Sequence, residues 1–448
     1  VLANLNFTPP ALLTGQFCLP KCECCTISGK EHFDRTSVIV KDLVLIGGGH
    51  SHAIVLKMFG LKPLPSVRLT LISDVLHAPY SGMLPGHVAG LYDYDECHID
   101  LRSLAEFAGC QILVDRAIAI DLSKNQVICQ TRPPVNFDLL SVDIGSTPAT
   151  LSVRGAAEYA IAAKPVPEFL ASWNQLIYAR QNYPEKPLRI AIVGGGAGGV
   201  ELALNMQSRL GKEERKGKKE EGRGKFKQEE GLEIHLFHSG AELMPGHNSR
   251  VRHRLKEILI SRGIKVHLME KVSAIENQEM IEIASNPQCP MPNAQICCES
   301  GLNVKCDRIF WVTQASAAHW IRESGLATDS NGFMQVNDCL QSISHPNVFG
   351  AGDIAAMVNY PRPKAGVFAV RQGKPLFENL QNFSLGKPLK PFAPQEQYLG
   401  LIGTGNKRAI ASRGSLMWES ALLWYWKDWI DRQFMRKFSN LPKTGDIQ

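Results

Sequence analysis

Apolar and polar positions follow two regimes along the chain. Residues 1–37 show neither a strand nor a helix period, and they are expected to be a disordered N-terminal extension. From about Val38 onward, short β-branched runs alternate with glycine turns and helical periodicity, which is the pattern of an α/β protein. Val38 to Ile46 predicts a buried strand, His50 to Phe59 a helix, and Val67 to Ile72 a second strand. The same succession returns as the strand Leu188 to Val193, the turn Gly194 to Gly199 and the helix Val200 to Leu210. A strand over Glu233 to Phe237 follows, but only after a 19-residue charge run from Lys212 to Glu230 that reads as a solvated surface insertion. Trp418 to Phe438 predicts one last helix, in which Trp418, Leu422, Trp424, Trp426, Trp429, Ile430, Phe434 and Phe438 are interleaved with basic residues.

Composition changes this picture little. The 448 residues are 44% hydrophobic and 21% charged, enough for more than one core, and no run of 18 apolar residues predicts a membrane-crossing helix. Twelve cysteines without regular spacing point to a reducing intracellular compartment. Cys18, Cys22, Cys24 and Cys25 have no matching second knuckle, so no metal is expected there. Charge is more informative. The formal +6 resolves into +2 within Lys212 to Glu230 and +4 within Tyr398 to Phe438, leaving a neutral remainder. No nucleic acid partner is expected, and a membrane or protein partner is to be sought at the two basic regions.

The chemistry begins at the glycine turns. Gly47-Gly48-Gly49-His50-Ser51-His52 follows a strand and opens a helix, where backbone N–H groups and the helix N-terminus attract a pyrophosphate. Gly47 and Gly49 fill two fingerprint positions, and His52 stands at the third. Ser73 or Asp74, at the end of the second strand, is the candidate for a ribose hydroxyl. The second turn is complete, with Gly194, Gly196 and Gly199. His238 ends the following strand where an acid would select NAD, so both NAD and NADP stay open. Two such turns on one chain suggest a bound flavin and a diffusing nicotinamide.

The first turn, the segment Phe137 to Pro148 (FDLLSVDIGSTP), the second turn and the run Asn347 to Asp353 (NVFGAGD) resemble, in that order, the pyridine nucleotide-disulphide oxidoreductase superfamily. The resemblance implies two Rossmann-like domains. A FAD domain over 38–150 and 335–396 would be split by an NAD(P)H domain over 151–334, with a C-terminal region from 397 to 448. It also implies that Gly352 and Asp353 bind the flavin ribityl or phosphate region and that the chain crosses between domains near Gly145. Within the superfamily, Leu69 to Gly90 and Tyr398 to Gly414 are similar to segments of type II NAD(P)H dehydrogenases, which end in a membrane-binding helix. That likeness puts Glu201 near both rings, although an acid at a helix start is also explained by the helix dipole. It makes Ala369 and Gln372 acceptor-site residues, while Gly366 stands where a glutamine is common. GGGHSH, PYSGMLPG and DIGSTP together resemble the FAD-dependent module fused ahead of selenide, water dikinase. The chain to Gln448 contains no synthetase segment of its own.

The expected activity is an FAD-dependent NAD(P)H dehydrogenase that hands electrons to an external small molecule such as a quinone. No CxxC or CxxxxC lies in the flavin motifs, so no redox disulfide is expected. Two alternatives stand beside it: a reductase of selenium or sulfur species serving a selenophosphate synthetase, and a flavin-binding scaffold with little turnover. The chain is expected to be soluble or peripheral to a membrane through 418–438. A plastid or a mitochondrion is compatible with this, and oligomeric state is not legible.

Overall fold

The computed structural model describes residues 40–148, 153–184, 186–220, 231–277, 294–313 and 315–442. The elements that build the sites begin with β1 (Lys41–Ile46), α1 (His50–Leu61), β2 (Val67–Ser73), β3 (Gln111–Val114), β4 (Leu139–Val142) and β5 (Ile161–Ala162). Next come α2 (Val166–Asn182), β6 (Leu188–Val193), α3 (Ala197–Glu220), β7 (Leu232–His238), α4 (Ser249–Ser261), β8 (Lys265–Leu268) and β9 (Arg308–Trp311). After these follow β10 (Val348–Gly350), α5 (Gly366–Ser384), β11 (Gly400–Gly403), β12 (Ala409–Arg413), β13 (Leu416–Ser420) and α6 (Ala421–Ser439).

Two five-stranded parallel sheets result. The first has the order β10-β4-β1-β2-β3 and the second β5-β9-β6-β7-β8. Parallel strands are covered on both faces, which is why β1 and β6 read as unbroken apolar runs rather than alternating ones. Leu43, Leu45, Ile190 and Ile192 are completely buried. The chain leaves the first sheet after β4 and re-enters it at β10, so the second sheet is inserted into the first. Outgoing and returning segments pair antiparallel, Thr147 with Ser316 and Pro148 with Ala315. Helix α1 lies against α5, with Phe59 and Phe377 edge to face at 5.0 Å.

Three expectations need adjustment. Helix α3 starts at Ala197 and continues to Glu220, so the first nine residues of the charge run extend a helix. Lys, Glu and Arg are strong helix formers, and a polar composition does not end a helix already nucleated by its buried first turns. The remaining run to Glu230, like Val38 and the N-terminal cysteines, falls outside the described residues. Trp418 belongs to β13 rather than to the final helix, because Ser420 caps α6 by accepting from the Leu422 N–H at 3.0 Å. The apolar stripe read from spacing also divides between two faces. Leu423, Trp424, Phe434, Met435 and Phe438 are buried, whereas Leu422, Tyr425, Trp426 and Trp429 are exposed.

The C-terminal three-stranded sheet β11–β13 and α6 bind elements of both parallel sheets. Asn205 and Ser208 of α3 donate to the carbonyls of Gly403 and Gly405, and Arg254 of α4 pairs with Glu419 at 2.6 Å. From the other side, Arg432 pairs with Glu96 at 2.6 Å, and Trp424 stacks on Tyr92.

Candidate functional site

The turn after β1 puts Gly47 at φ +90°, a left-handed conformation that favours glycine. A Cβ on Gly47 would meet the Asp143 carbonyl, and a Cβ on Gly49 would strike the Asp143 carboxyl group. Gly352, at φ +70°, would collide with the same carboxylate. Asp143 leaves the end of β4 and lies at the N-terminus of α1. The His52 N–H donates to its Oδ2 at 3.0 Å, and the Ser51 N–H also faces it. Burial pushes its carboxyl up to about 7, against those N–H groups, which pull it down. This carboxylate stands in for an anion of phosphate type, so the cradle fits the pyrophosphate of FAD.

The neighbouring polar groups fit as well. Asp353 Oδ2 accepts from the Ser146 hydroxyl at 2.9 Å and from Lys164 Nζ at 3.1 Å. Burial opposes its ionisation, but Lys164 and Ser146 hold it below the ordinary carboxylate range. Lys364 is driven down to about 8 by burial, with Asp353 opposing. His50 Nε2 is buried without a hydrogen-bond partner, an orphan that a bound cofactor would satisfy.

The structure separates the first-site expectations. Gly47, Gly49, Gly352 and Asp353 converge, and Gly145, at φ +72°, turns the chain out of β4 beside them. His52 is different. Its ring is fully buried, bonded to the Gly47 carbonyl at 2.7 Å and to the Ser141 hydroxyl at 2.8 Å. Only its backbone N–H faces the cradle, so the imidazole fastens α1 to β4 instead of reaching for a ligand. Ser73 is bonded to Val75 in its own turn, and Asp74 is exposed and paired with Arg116 at 3.2 Å. Gln372 Oε1 accepts from the Gly352 N–H at 2.7 Å, and the Ala369 carbonyl accepts from Ser51. Both residues therefore brace the first cradle with these polar groups.

In the second turn, a Cβ on Gly194 or Gly199 would strike backbone, whereas one on Gly196 would meet nothing within 4 Å. Gly194 and Gly199 thus serve the turn and its helix, and Gly196 leaves space for the pyrophosphate of NAD(P)H. His238 Nδ1 accepts from the Gly195 N–H at 3.3 Å, and burial lowers its pKa. A neutral, engaged imidazole offers a 2′-phosphate no charge.

Glu201, one turn into α3, accepts from the Gly403 N–H at 2.7 Å. Burial raises its pKa, with Lys427 pulling the other way. Lys427 donates to Asp431 at 2.6 Å and to the Gly82 carbonyl at 2.5 Å, and the Tyr80 hydroxyl donates to Asp431 at 3.1 Å. The described cysteines are all free, and burial pushes Cys97 and Cys110 up to about 12. Sequence reasoning missed Asp143, Ser146, Lys164, Lys427 and Asp431. For Asp143 a signal was present, an acid ending the apolar run Leu139–Val142; the others are joined only by tertiary contact.

Comparison with known proteins identifies the family and the fold. The family model described as pyridine nucleotide-disulphide oxidoreductase matches residues 41–373. NADH dehydrogenase-like protein YutJ of Bacillus subtilis is 22% identical over 402 residues, covering 87% of this chain and 99% of its own. Ferroptosis suppressor protein 1 of Taeniopygia guttata is 26% identical, covering 79% and 83%. Demethylphylloquinone reductase NdbB of Synechocystis is 24% identical over 239 residues, covering 52% and 51%. Among solved structures, NDH2 from Plasmodium falciparum in complex with NADH superposes with a TM-score of 0.71 at 14% identity, covering 89% of this chain and 97% of that one.

Proposed function

The chain belongs to the pyridine nucleotide-disulphide oxidoreductase family, whose cofactors are FAD and NAD(P)H, and on that premise we propose that it is an NAD(P)H dehydrogenase reducing a quinone. The observation that carries the proposal is the pair of glycine turns, each at the end of the central strand of a parallel sheet, within one compact unit from Val40 to Gln448. The reductase name of the Synechocystis relative supports quinone as the acceptor.

Gly47, Gly49, Ser51, His52, Ser146, Lys164 and Asp353 would hold FAD through the contacts described, and Gly194, Gly196 and Gly199 would hold the nicotinamide dinucleotide. FAD held there would supply the chemistry of accepting hydride from a reduced nicotinamide and passing electrons to an external acceptor. Fixing both dinucleotides on rigid strand ends removes much of the entropic barrier to their encounter. Glu201 is held at one carboxyl oxygen by the Gly403 N–H, and burial raises its pKa, which suits a carboxyl group poised for proton transfer. The neutral, buried Cys97 and Cys110 thiols support transfer without a disulfide relay. The exposed Leu422, Trp426 and Trp429 face would rest on a lipid surface, where a hydrophobic quinone resides.

Anaerobic addition of NADH or NADPH to the yellow protein should bleach the flavin band, and a soluble quinone should restore it. A selenium or sulfur species restoring it instead would favour the synthetase-serving reductase, the reading that rests on the GGGHSH, PYSGMLPG and DIGSTP likeness. Yellow protein that neither nucleotide reduces would leave a scaffold. In flotation with anionic vesicles, the triple variant L422S/W426S/W429S should lose binding while keeping its melting temperature. Equal flotation of variant and wild type would remove the membrane contact.

A further inference from the structure

A carboxylate on the N-terminus of α1 is a direct rival of the dinucleotide expected there. Asp143 takes the His52 N–H, faces that of Ser51, and fills the space that Gly49 leaves by lacking a Cβ. Those are the donors and the space that a pyrophosphate requires. We propose that Asp143 is a proton-coupled gate on the FAD site: binding of FAD displaces its carboxylate from the α1 N-terminus and obliges it to take up one proton. This inference rests on FAD occupying the first glycine turn.

The reason is electrostatic. The His52 and Ser51 N–H groups, together with the Ser51 hydroxyl, are what favour the charged form of a residue only 2% exposed. Once phosphate oxygens hold those donors, a buried carboxylate would remain unpaired beside Asp353 and a doubly charged pyrophosphate. Like charges at such a distance cannot all stay ionised, and the carboxyl is the group that accepts a proton. The proton comes from solvent, and the neutral acid retains a donor of its own.

The groups around Asp143 leave the pH interval to it. From α1, His50 and His52 are both lowered to about 4, mainly by burial, and are neutral above pH 6. From the Gly352 turn, Asp353 is lowered and already ionised. Lys164 sits on Asp353, α5 contributes the uncharged Gln372, and Lys364 titrates only at about 8. Asp143, near 7, is the group whose charge changes most across the interval, Lys364 giving up only a minority of its proton at the upper end.

The test is FAD affinity of the deflavinated full chain, read by quenching of FAD fluorescence from about pH 6 to about pH 7.5. Wild type should weaken about fourfold across that interval, because one proton is taken up against an apoprotein value near 7. Asp143→Asn should bind more tightly at the upper pH and lose the dependence, and Asp143→Ser should do the same if the amide packs poorly. Calorimetry of the wild type in two buffers of different ionisation enthalpy should show uptake of about three-quarters of a proton per FAD at the upper pH. A pH-independent wild-type affinity without proton uptake overturns the gate, as does an Asp143→Asn protein that keeps the full pH dependence. Failure of every form to bind FAD at any pH overturns the flavoprotein assignment itself, and the gate falls with it.

Discussion

At the scale of single residues, glycines of one motif do different work. A methyl group on Gly199 would press on the Gly194 carbonyl, backbone that cannot swing aside, whereas the space beside Gly196 is open. Gly199→Ala should therefore cost about 1–3 kcal/mol of stability in a denaturant titration. Gly196→Ala should leave stability within about 0.5 kcal/mol but raise the KM for NAD(P)H at least about tenfold. A second prediction concerns acid. Burial lowers His52 from 6.5 to about 4, so the unfolded chain binds the proton first, and the stability present above 6.5 is lost as pH falls through that window. Asp143 runs oppositely. Its value rises from 3.8 to about 7, so the folded chain takes the proton first, and falling pH adds stability from 7 down to 3.8. The two nearly cancel in the wild-type apoprotein. Asp143→Asn removes the compensation and should lose about 2 kcal/mol relative to wild type between about pH 7 and about pH 5, measured by urea unfolding. His52 itself was visible in the sequence at the third fingerprint position, but its role was not, because spacing does not tell whether a side chain points to a ligand or into the packing.

At the scale of elements, period and punctuation located the strands before both glycine turns and the helices that follow them. Helix α6 was legible as a helix but not as a two-faced one, since an apolar residue at helical spacing looks alike whether it meets protein or solvent. Its buried polar pair was not foreseeable either. Lys427 and Asp431 are four residues apart, an ordinary surface spacing, yet their side chains are only 13% and 7% exposed because Tyr80 and Gly82 close over them. Lys427→Met should cost about 3–5 kcal/mol, since it leaves a buried carboxylate without its cation and held only by the Tyr80 hydroxyl. Combining it with Asp431→Leu should recover most of that loss; thermal unfolding of the two proteins checks both.

At the scale of the whole molecule, the three-stranded sheet β11–β13 and helix α6 join α3 and α4 of the inserted half to Glu96, Tyr92 and Tyr80 of the first. Unfolding from Val40 onward should accordingly be one cooperative transition. Saturation with FAD at about 100 times its Kd should raise its free energy by about 2.7 kcal/mol without splitting it. Coincident curves from far-UV dichroism and flavin fluorescence would bear this out, and a separate early loss of the second sheet would refute it. The sequence by itself determined the two α/β units, their order and the two glycine turns, because period, glycine placement and strand length are local properties of the backbone. Only the tertiary structure decided that Asp143 faces the first cradle, that Glu201 meets Gly403, and that His52 is interior. Those contacts join residues 89 to more than 200 positions apart, and no local pattern records which distant backbone will be brought beside a given side chain.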